Sequence, residues 1–513
     1  MAFLSDDLLE GRAAGTRGHM LAAKYVEAQF EEMGLRPAGE RGGYFQNVRL
    51  RRMETPKGGC RLVEKRDRKV RPLVFNKDFV SEGSELVAES SVEAPVVFVG
   101  YGVTAPEFHY DDYAGIDVRG KIVVLLTGAP VAFPSAPRGV YSGYVIKARN
   151  AATHGAVGLL TIWAGPRADR VPFEQFVQWF REPSMRWLDS HDMPSDSVPE
   201  IRGWAWLSER AASDMFDHAQ KSLKQALADA TANKPQAFPL PLAVSITQHS
   251  RWQELTSPNV AAVLPGSDPE LMHEYLVFTA HADHVGIGDP VNGDTIYNGA
   301  IDNASGTAAM LEIAHALSVM ATRPRRSILF IAVTGEEEGL LGSDYYAQNP
   351  TVPLSQIVAN VNIDGVTLLY NFRDIVALGA EHSTIAGIVA DVAQKMKLEV
   401  SPDPLPEEAF FIRSDQYSFV KQGIPGVYLS EGFKTVDPKV DGKKRTLDWE
   451  SNYYHTPKDD MNQPNLNFEA ATKCTRLNLA VGYELAQQTE RPHWNEGDFF
   501  TRFVKKKNPT AGR

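Results

Sequence analysis

The chain has 513 residues, of which 43% are hydrophobic and 10% aromatic, and this size favours two or three domains with substantial cores. Its formal net charge of −11 argues against nucleic acid or an anionic membrane surface as the main partner. No apolar run reaches the ~18 residues that a membrane-spanning helix needs, so we expect no membrane span.

The cysteines and the amino terminus carry little further information. Cys60 and Cys474 lie outside any zinc-finger spacing, so a bound metal would need His, Asp and Glu ligands. Whether they pair stays open, although isolated cysteines are more often free. The first residues lack the basic and apolar segments of a secretory leader. We expect either a cytoplasmic protein or a mature form whose leader has been removed.

The first predicted element is an amphipathic helix over residues 16–34. Thr16 is a suitable cap, and Gly34 ends the pattern. The apolar residues recur at helical spacing, namely Leu21, Tyr25, Val26, Phe30 and Met33. This pattern predicts a helix that packs against a core.

Residues 85–165 have a β-rich texture that indicates a small accessory module. Its predicted elements are strands at 94–103, 120–128 and 156–163 and a helix at 144–155. We expect His109, Asp111 and Asp112 in this module to lie in a solvated loop rather than in a metal site. Residues 165–250, with a polar helix at 209–230, form the return path to the main domain.

After residue 255, apolar strands alternate with helices. Strands are predicted at 274–283, 326–337, 355–365 and 423–432, and helices at 305–320 and 381–396. This alternation predicts an α/β sheet with helices on both faces. Ligands of such sheets bind beyond the carboxyl ends of the strands. Histidines and carboxylates occur at these ends, which makes this region the expected functional site.

The stretch HADHVGIGDPVNGDTIYNGAIDNASG, residues 281–306, is rich in histidine and aspartate. His281 and Asp283 are two residues apart at a strand end, so they share a face. A ligating histidine often donates its second N–H to a carboxylate, a role that Asp283 is placed to fill. His284 points to the opposite face of an extended strand and is the weaker candidate. Asp302, just before a helix, has two oxygens that could bridge two cations.

Three further groups follow in the chain. Glutamates 336–338 end a strand that is almost entirely apolar, which weakens the alternative of a solvated acidic turn. Asp364 follows an apolar strand in the same way, and His455 lies in the loop YYHTPKDDM. Two imidazoles and three carboxylates suit a pair of borderline metals such as zinc. The dense carboxylates therefore predict two divalent cations, with a position left for a shared water.

This set of motifs resembles the co-catalytic di-zinc aminopeptidases, metallopeptidase family twenty-eight, whose relatives include leucyl aminopeptidases and glutamate carboxypeptidase II. HxD, DNASG, EExGLLGS, NxD and YHTP occur in this order within residues 255–465. The stretch LEGRAAGTRGHMLAAKYVEAQFEEMGLRPAG resembles the family more loosely. YAGIDVRGKIVVLL and KARNAATHGAVGLLTI resemble a protease-associated domain.

The resemblance implies a three-layer α/β/α zinc exopeptidase domain with a mixed, mostly parallel sheet and a small β-rich protease-associated domain inserted into it. We place the first part of the peptidase domain at 1–80, the insert and return segment at 81–250 and the main part at 251–513. Members with such an insert are commonly exported, so the resemblance implies a periplasmic or secreted protein.

The resemblance also assigns roles by position. His281 and Asp364 would be terminal ligands of one zinc ion, Glu337 and His455 of the other, and Asp302 the bridge. Three further residues would serve catalysis: Glu336 as general base, Asp283 beside the first histidine, and Tyr454, which stabilises the oxyanion in glutamate carboxypeptidase relatives. Simple packing of Tyr454 beside the ligand loop is an equal alternative.

One segment departs from the family. Many relatives have SDH where this chain has Ser414, Asp415 and Gln416, beside the expected substrate pocket. Phe410, Phe411 and Arg413 could shape this pocket, although a core role for one phenylalanine is an equal alternative. The specificity of relatives is therefore a poor guide to the specificity of this chain.

The resemblance implies an aminopeptidase that acts on peptides with a free N-terminus. The alternatives are a carboxypeptidase or dipeptidase of the glutamate carboxypeptidase type, a glutaminyl cyclase, and a non-catalytic receptor-like protein. A carboxypeptidase needs basic residues for the substrate carboxylate, and only Arg413 stands out near the expected pocket. A receptor would have lost ligands, and all five ligand positions are filled here. The preferred N-terminal residue and the oligomeric state are not readable from the sequence.

Overall fold

The structure, a computed structural model, describes residues 1–234 and 236–504. The chain forms two compact units. The first unit comprises residues 1–48 and the chain from residue 256 onward, and the second unit comprises residues 49–255. In the described part of the chain, no helix combines the length and the apolar character that crossing a bilayer requires.

The strands and helices of both units are numbered together in chain order. The strands are β1 (Arg36–Pro37), β2 (Phe45–Glu54), β3 (Cys60–Arg66), β4 (Lys69–Pro72), β5 (Phe79–Val80), β6 (Glu89–Phe98), β7 (Thr104–Ala105), β8 (Tyr110–Asp111), β9 (Ile122–Leu126), β10 (Gly158–Trp163), β11 (Ser184–Trp187), β12 (Trp204–Ser208), β13 (Phe238–His249), β14 (Arg251–Leu264), β15 (Tyr275–His281), β16 (Gly286–Val291), β17 (Asp294–Tyr297), β18 (Ser327–Val333), β19 (Ile357–Asn362), β20 (Asp374–Leu378), β21 (Glu399–Val400) and β22 (Gly426–Glu431). The α-helices are α1 (Arg17–Glu32), α2 (Ser135–Ser142), α3 (Tyr144–Thr153), α4 (Pro166–Arg170), α5 (Phe173–Phe176), α6 (Glu209–Met215), α7 (Leu223–Thr231), α8 (Gly306–Ser318), α9 (Leu341–Gln348), α10 (Ile385–Lys395), α11 (Gln416–Val420), α12 (Gly442–Asn452) and α13 (Phe468–Gln487).

The first unit is built on a mixed sheet with the strand order β14-β18-β15-β19-β22-β20-β21. The central strands β18, β15, β19 and β22 run parallel, and β14 and β20 pair antiparallel with their neighbours. Successive residues of a strand point to opposite faces of the sheet. Accordingly Leu276 and Phe278 of β15 pack in one core with α1, α8, α10 and α13, whereas Val277 packs with α9 and α11. The predicted three-layer α/β/α fold is confirmed.

The second unit contains a separate sheet with the strand order β4-β3-β13-β6-β9-β10-β12-β5. Strands β6, β9, β10 and β12 are parallel, and the other pairs are antiparallel. The first boundary therefore differs from the predicted one at residue 80, because β3 pairs with β13 inside the second unit. The identity of this unit as a protease-associated domain stays a prediction.

The structure also bears on the helix predicted at 209–230 and on the two cysteines. The single helix predicted at 209–230 is wrong, because the structure has α6 and α7 there. The side chain of Ser222 accepts from Gln225 N while the Gln225 side chain accepts from Ser222 N, and this capping box starts a new helix. Cys60 and Cys474 are both buried and unpaired.

Candidate metal centre

The candidate metal centre lies at the carboxyl ends of neighbouring strands in the first unit. β15 ends at His281, which pairs in register with Val333 at the end of β18. β19 ends at Asn362, two residues before Asp364. Because these strands are parallel, their carboxyl ends meet at one edge of the sheet, where ligands bind in such folds.

Asp302 lies between two groups of side chains, and each of its oxygens faces one group. Its Oδ1 atom is 3.2 Å from His281 Nε2, which is in turn 3.1 Å from Asp364 Oδ1. Its Oδ2 atom is 3.1 Å from His455 Nε2, which is in turn 3.0 Å from Glu337 Oε2. The structure thus brings the five predicted metal ligands together around one shared carboxylate.

These distances fit zinc ligation. Zinc bonds of ~2.0–2.1 Å in a tetrahedral site place neighbouring ligand atoms about 3.3 Å apart. In each group the ligand atoms lie within 4.8 Å of one another. The nitrogen and oxygen donors are the types that zinc accepts in catalytic sites. The residues present therefore fit zinc as the metal of this site.

The carboxylates of the cluster stabilise positive charge on the neighbouring side chains. Burial acts to lower the pKa of His455, but the charge of Glu337 and hydrogen bonds to Asp302 and Glu337 raise it to about 10. Burial acts to raise the pKa of Asp302, but hydrogen bonds from His281 and His455 hold it well below its ordinary value. The raised pKa of His455 means that the surrounding carboxylates stabilise positive charge at this position. A divalent metal would supply the same charge while leaving the imidazoles neutral.

His284 also belongs to this cluster, although the sequence favoured the opposite face of the strand. Its Nδ1 atom lies 2.7 Å from Glu337 Oε1 and 3.9 Å from Asp302 Oδ2. The expectation fails because β15 ends at His281, so the alternation of an extended strand no longer applies at residue 284. Glu337 therefore has one oxygen toward His455 and the other toward His284.

The surroundings of His284 leave one of its nitrogens without a partner. The side chain is buried, and its Nε2 atom has no hydrogen-bond partner among the described residues. A Cβ atom at Gly299 would lie 2.5 Å from Cγ of the imidazole, so glycine leaves room for this ring. Ligating histidines usually donate their second N–H to an acceptor. The geometry therefore places Nδ1 of His284 to donate a hydrogen bond to Glu337.

Asp283 is buried beside His281, but its carboxylate is not the nearest acceptor of that ring. His281 Nδ1 is 3.2 Å from the main-chain oxygen of Asp283 and 3.9 Å from its Oδ1. The Oδ1 atom instead accepts from Glu336 N at 3.3 Å. Burial raises the pKa of Asp283 to about 6. Asp283 thus connects the loop of the first histidine to the loop of the glutamates.

Glu336 lies inside the cluster but is not one of the five predicted metal ligands. Its carboxylate is grouped with His281 and Glu337 within 4.8 Å. Burial, reinforced by the charges of Asp364, Glu337 and Asp415, raises its pKa well above the ordinary value, although His281 acts to lower it. The Glu336 carboxylate is therefore close enough to exchange a proton with a group bound between the ligands.

Tyr454 lies next to His455 and is partly open to solvent, with 44% of its surface exposed. Its ring stacks on that of His455 at a centroid distance of 3.9 Å and is tilted against Trp449 at 5.9 Å. Burial and the nearby charges of Asp302 and Glu337 raise its pKa. The hydroxyl is therefore protonated at neutral pH and able to donate.

Two residues that the sequence analysis missed hold the Asp302 loop. Asp459 accepts from Ile301 N at 2.9 Å and from Asp302 N at 3.0 Å. The side chain of Asn303 accepts from Gly365 N at 2.7 Å, which ties the same loop to that of Asp364. The signal for Asp459 is its position four residues after His455 in the same loop.

The segment that departs from the family supports the ligand Asp364. Ser414 Oγ donates to Asp364 Oδ2 at 2.6 Å. Gln416 is buried, accepts from Asn362 Nδ2 at 2.9 Å and donates to Phe411 O at 2.7 Å. Gln416 therefore lies behind the site, where it orders the strand end and the Ser414 loop.

The residues expected to border the pocket have different environments. Phe411 is buried and packs against Phe500 and His382, so it belongs to the core. Arg413 is exposed, lies over the Phe410 ring at 5.5 Å and binds Glu408 at 3.4 Å. The Arg413 guanidinium thus already has a carboxylate partner.

Comparison with known proteins points to one family. Residues 259–481 match the model of peptidase family M28. The chain is 32% identical over 134 residues to the Aminopeptidase NAALADL1 of Mus musculus, covering 25% of this chain and 16% of that protein. It is 28% identical over 240 residues to the probable leucine aminopeptidase 2 of Aspergillus oryzae, covering 45% of each chain. The chain thus spans less than half the length of each of these curated relatives.

A solved structure has the same fold. An aminopeptidase from Aneurinibacillus sp. strain AM-1 superposes with a TM-score of 0.53 at 19% identity, covering 96% of this chain and 94% of that one. The strand order, the clustered side chains and the family match agree with one another. Residues 259–481 therefore match peptidase family M28.

Proposed function

We propose that this protein is a two-zinc aminopeptidase that removes the N-terminal residue from peptides. The observation that carries the proposal is the position of Asp302, whose two oxygens each face a separate pair of one histidine and one carboxylate. A single-metal site would not need this arrangement. The names of the curated relatives, an aminopeptidase and a probable leucine aminopeptidase, support the same activity.

Five residues would hold the metals. His281 and Asp364 would bind one zinc ion, His455 and Glu337 the other, and Asp302 both. Bound there, the zinc ions would supply Lewis acidity and lower the pKa of a water between them. The role of His284 would be to keep Glu337 oriented by a hydrogen bond from Nδ1.

The protein's own groups then manage the protons. Glu336 takes a proton from the water that attacks the scissile carbonyl and delivers it to the leaving amine. Asp283 accepts a hydrogen bond from the Glu336 main chain and keeps that loop in place. Tyr454, with a protonated hydroxyl, donates a hydrogen bond to the oxyanion of the tetrahedral intermediate.

The charges of the site support cleavage from the amino end. A free α-amine on the substrate is cationic and would be attracted by the carboxylates that surround the metal positions. A substrate carboxylate would need a basic partner. Arg413, the basic residue expected near the pocket, already binds Glu408.

The resemblance of residues 81–250 to an insert whose carriers are commonly exported further supports a periplasmic or secreted location.

The experiment is hydrolysis of a panel of aminoacyl p-nitroanilides, compared with N-acylated peptides that have free carboxyl termini. Each substrate is assayed before chelation, after chelation and after zinc is restored. We expect chelator-sensitive cleavage of the free-amine substrates only. Cleavage of only the blocked peptides would indicate a carboxypeptidase. No cleavage of either set by zinc-loaded protein would contradict the proposal. It would instead favour a glutaminyl cyclase or a non-catalytic receptor-like protein.

A further inference from the structure

A short segment near the amino terminus packs directly onto the loops that carry the metal ligands. Residues Asp7–Arg12 form a 3₁₀ helix that begins after Asp6. A Cβ atom at Gly11 would lie 2.4 Å from Gly286 O and 2.6 Å from Tyr297 O. A side chain at Gly11 would therefore force the segment away from these loops.

The Arg12 side chain extends from this segment into the interior and is 1% exposed. Its Nε atom donates to Ala282 O at 3.1 Å, and its Nη2 atom donates to Gly299 O at 3.1 Å. Its Nη1 atom donates to Asn298 O and to Leu4 O. Ala282 directly follows the ligand His281 in the chain. One guanidinium thus holds two separate loops of the metal centre.

All of these acceptors are neutral carbonyl groups, so the buried charge of Arg12 needs another balance. A buried ion is costly unless nearby opposite charges offset the lost hydration. Burial lowers the pKa of Arg12 to about 10, against the charges of Asp283, Asp302, Asp459 and Glu337. The guanidinium stays protonated at neutral pH, and the carboxylates of the centre balance it.

The loop that precedes Asp302 is held from two sides. Arg12 binds the carbonyl groups of residues 298 and 299, whereas Asp459 binds the N–H groups of residues 301 and 302. The side chain of Asn298 adds hydrogen bonds to Ser5 O at 3.0 Å and to Asp7 Oδ1 at 2.8 Å. The amino-terminal segment is therefore connected to this loop by side chains in both directions.

We propose that Arg12 is a positioning residue of the metal centre, which fixes the His281 loop against the Asp302 loop so that their ligand atoms face the same metal. This inference rests on the proposed metal site. It assigns a role to a residue about 270 positions distant in the chain. The guanidinium is planar and has five N–H donors, so it can donate to both loops at once. The single ammonium group of a lysine cannot span the two loops in this way.

The test compares Arg12→Lys with the matched variant Arg326→Lys. Arg326 is equally buried and donates to main-chain oxygens of Leu485, Gln488 and Thr489 and to Glu274, and none of these hydrogen bonds reaches a metal-ligand loop. Each protein is stripped of metal, and zinc affinity is measured by competition with a chromophoric chelator. Thermal unfolding and circular dichroism report on the fold.

We expect Arg12→Lys to weaken zinc binding by about 10–100-fold, the effect typical of residues that orient metal ligands. Arg326→Lys should lower the unfolding temperature without changing zinc affinity. A second variant, Asn298→Ala, should weaken zinc binding in the same direction by less, because it loosens the same loop and keeps the guanidinium. This variant also tests the assignment if Arg12→Lys does not fold.

The outcomes separate this inference from the proposed function. Wild-type protein that binds no zinc would overturn the proposed function and this inference with it. Zinc binding that is unchanged in Arg12→Lys and Asn298→Ala would overturn the role of Arg12 alone. Equal losses in Arg12→Lys and Arg326→Lys would overturn it too, because the effect would then follow stability and not loop position.

Discussion

Asp112 in the second unit and Asp302 in the first are both buried aspartates, but their carboxylates have different partners. The Oδ2 atom of Asp112 accepts from Tyr101 N and Val103 N, each at 3.0 Å. Its Oδ1 atom accepts from Tyr110 Oη at 2.7 Å. The main chain and a hydroxyl thus supply the hydrogen bonds of the Asp112 carboxylate.

The Asp302 carboxylate is instead surrounded by histidines. Its two oxygens face His281 and His455, each of which also contacts a second carboxylate. A histidine nitrogen placed between two carboxylates favours either an imidazolium or a bound metal ion. The partners of a buried carboxylate, rather than its burial, therefore distinguish a structural aspartate from a metal ligand.

The comparison also corrects one sequence expectation. His109 and Asp111 are exposed, as expected of a solvated loop, but Asp112 is buried. A run of acidic residues in a loop does not reveal that one of them turns inward to bind main-chain N–H groups. Only the backbone path of Tyr101 and Val103 provides that information.

The largest effect is expected from Asp302→Asn, with Asp112→Asn as its counterpart in the second unit. Loss of the bridging carboxylate should lower zinc affinity by more than about 100-fold, since even residues that only orient ligands cost 10–100-fold. Hydrolysis should fall to background. Chelator competition and p-nitroanilide assays measure both.

Asp112→Asn should leave zinc affinity unchanged and lower the free energy of unfolding by about 1–3 kcal/mol, because an amide N–H₂ would replace one of the two oxygens that accept hydrogen bonds. Thermal unfolding monitored with the metal loaded measures this change. Weaker zinc binding in Asp112→Asn, or normal zinc binding in Asp302→Asn, would show that the two carboxylates do not differ as described.

Glu336→Gln should reduce turnover by about 10²–10⁴-fold, the usual contribution of a general base, because the amide cannot accept the proton of the attacking water. Both zinc ions should remain bound, since Glu336 is not among the five ligands. Metal content and single-substrate kinetics test this. A folded, zinc-loaded variant with near-normal turnover would disprove the assignment of Glu336 as base.

The fold and the five ligand positions were accessible from the sequence because both depend on local patterns. Apolar strands alternate with helices, and polar residues occur at the carboxyl ends of neighbouring parallel strands. His281 ends β15, Glu337 follows β18 and Asp364 follows β19, so the sheet itself brings them together. Their roles as ligands stay predictions until metal is bound.

Arg12, Asp459 and His284 were not accessible in the same way. Arg12 contacts the ligand loops across about 270 residues of chain, and no local pattern encodes such a contact. Asp459 acts through main-chain N–H groups of another loop. His284 was assigned to the wrong face because the alternation of β15 stops at His281. Residues that support ligands are therefore harder to predict than the ligands themselves.

A smaller effect is expected from variants of His284, which contacts the predicted ligand Glu337 without being one of the five predicted ligands. His284→Ala should weaken zinc binding by about 10–100-fold, because Glu337 loses the donor that orients it. His284→Asn places an amide N–H₂ near the position of Nδ1 and should retain most of the affinity. Equal losses in both variants would instead favour direct ligation of the metal by His284.

The smallest effect concerns Lys147, which lies near Asp112 in the second unit. Its amine is buried and donates to Leu126 O at 2.7 Å, and burial lowers its pKa to about 7 although the charge of Asp112 acts to raise it. Between this value and the ordinary pKa of 10.5, the unfolded chain binds a proton that the folded protein has lost. The free energy of unfolding therefore gains a contribution that rises with pH from about 7 to 10.

Lys147→Met should lack this contribution, so the unfolding temperature of the wild type should rise relative to that of the variant between pH 7 and pH 9. Asp112, with a pKa raised by burial to about 6, titrates below this window. Lys395→Met is the control, because Lys395 is exposed and its hydrogen bond to Glu484 raises its pKa. A wild-type advantage that stays constant with pH would mean that Lys147 remains charged in the fold, and that Asp112 has a buried ionic partner after all.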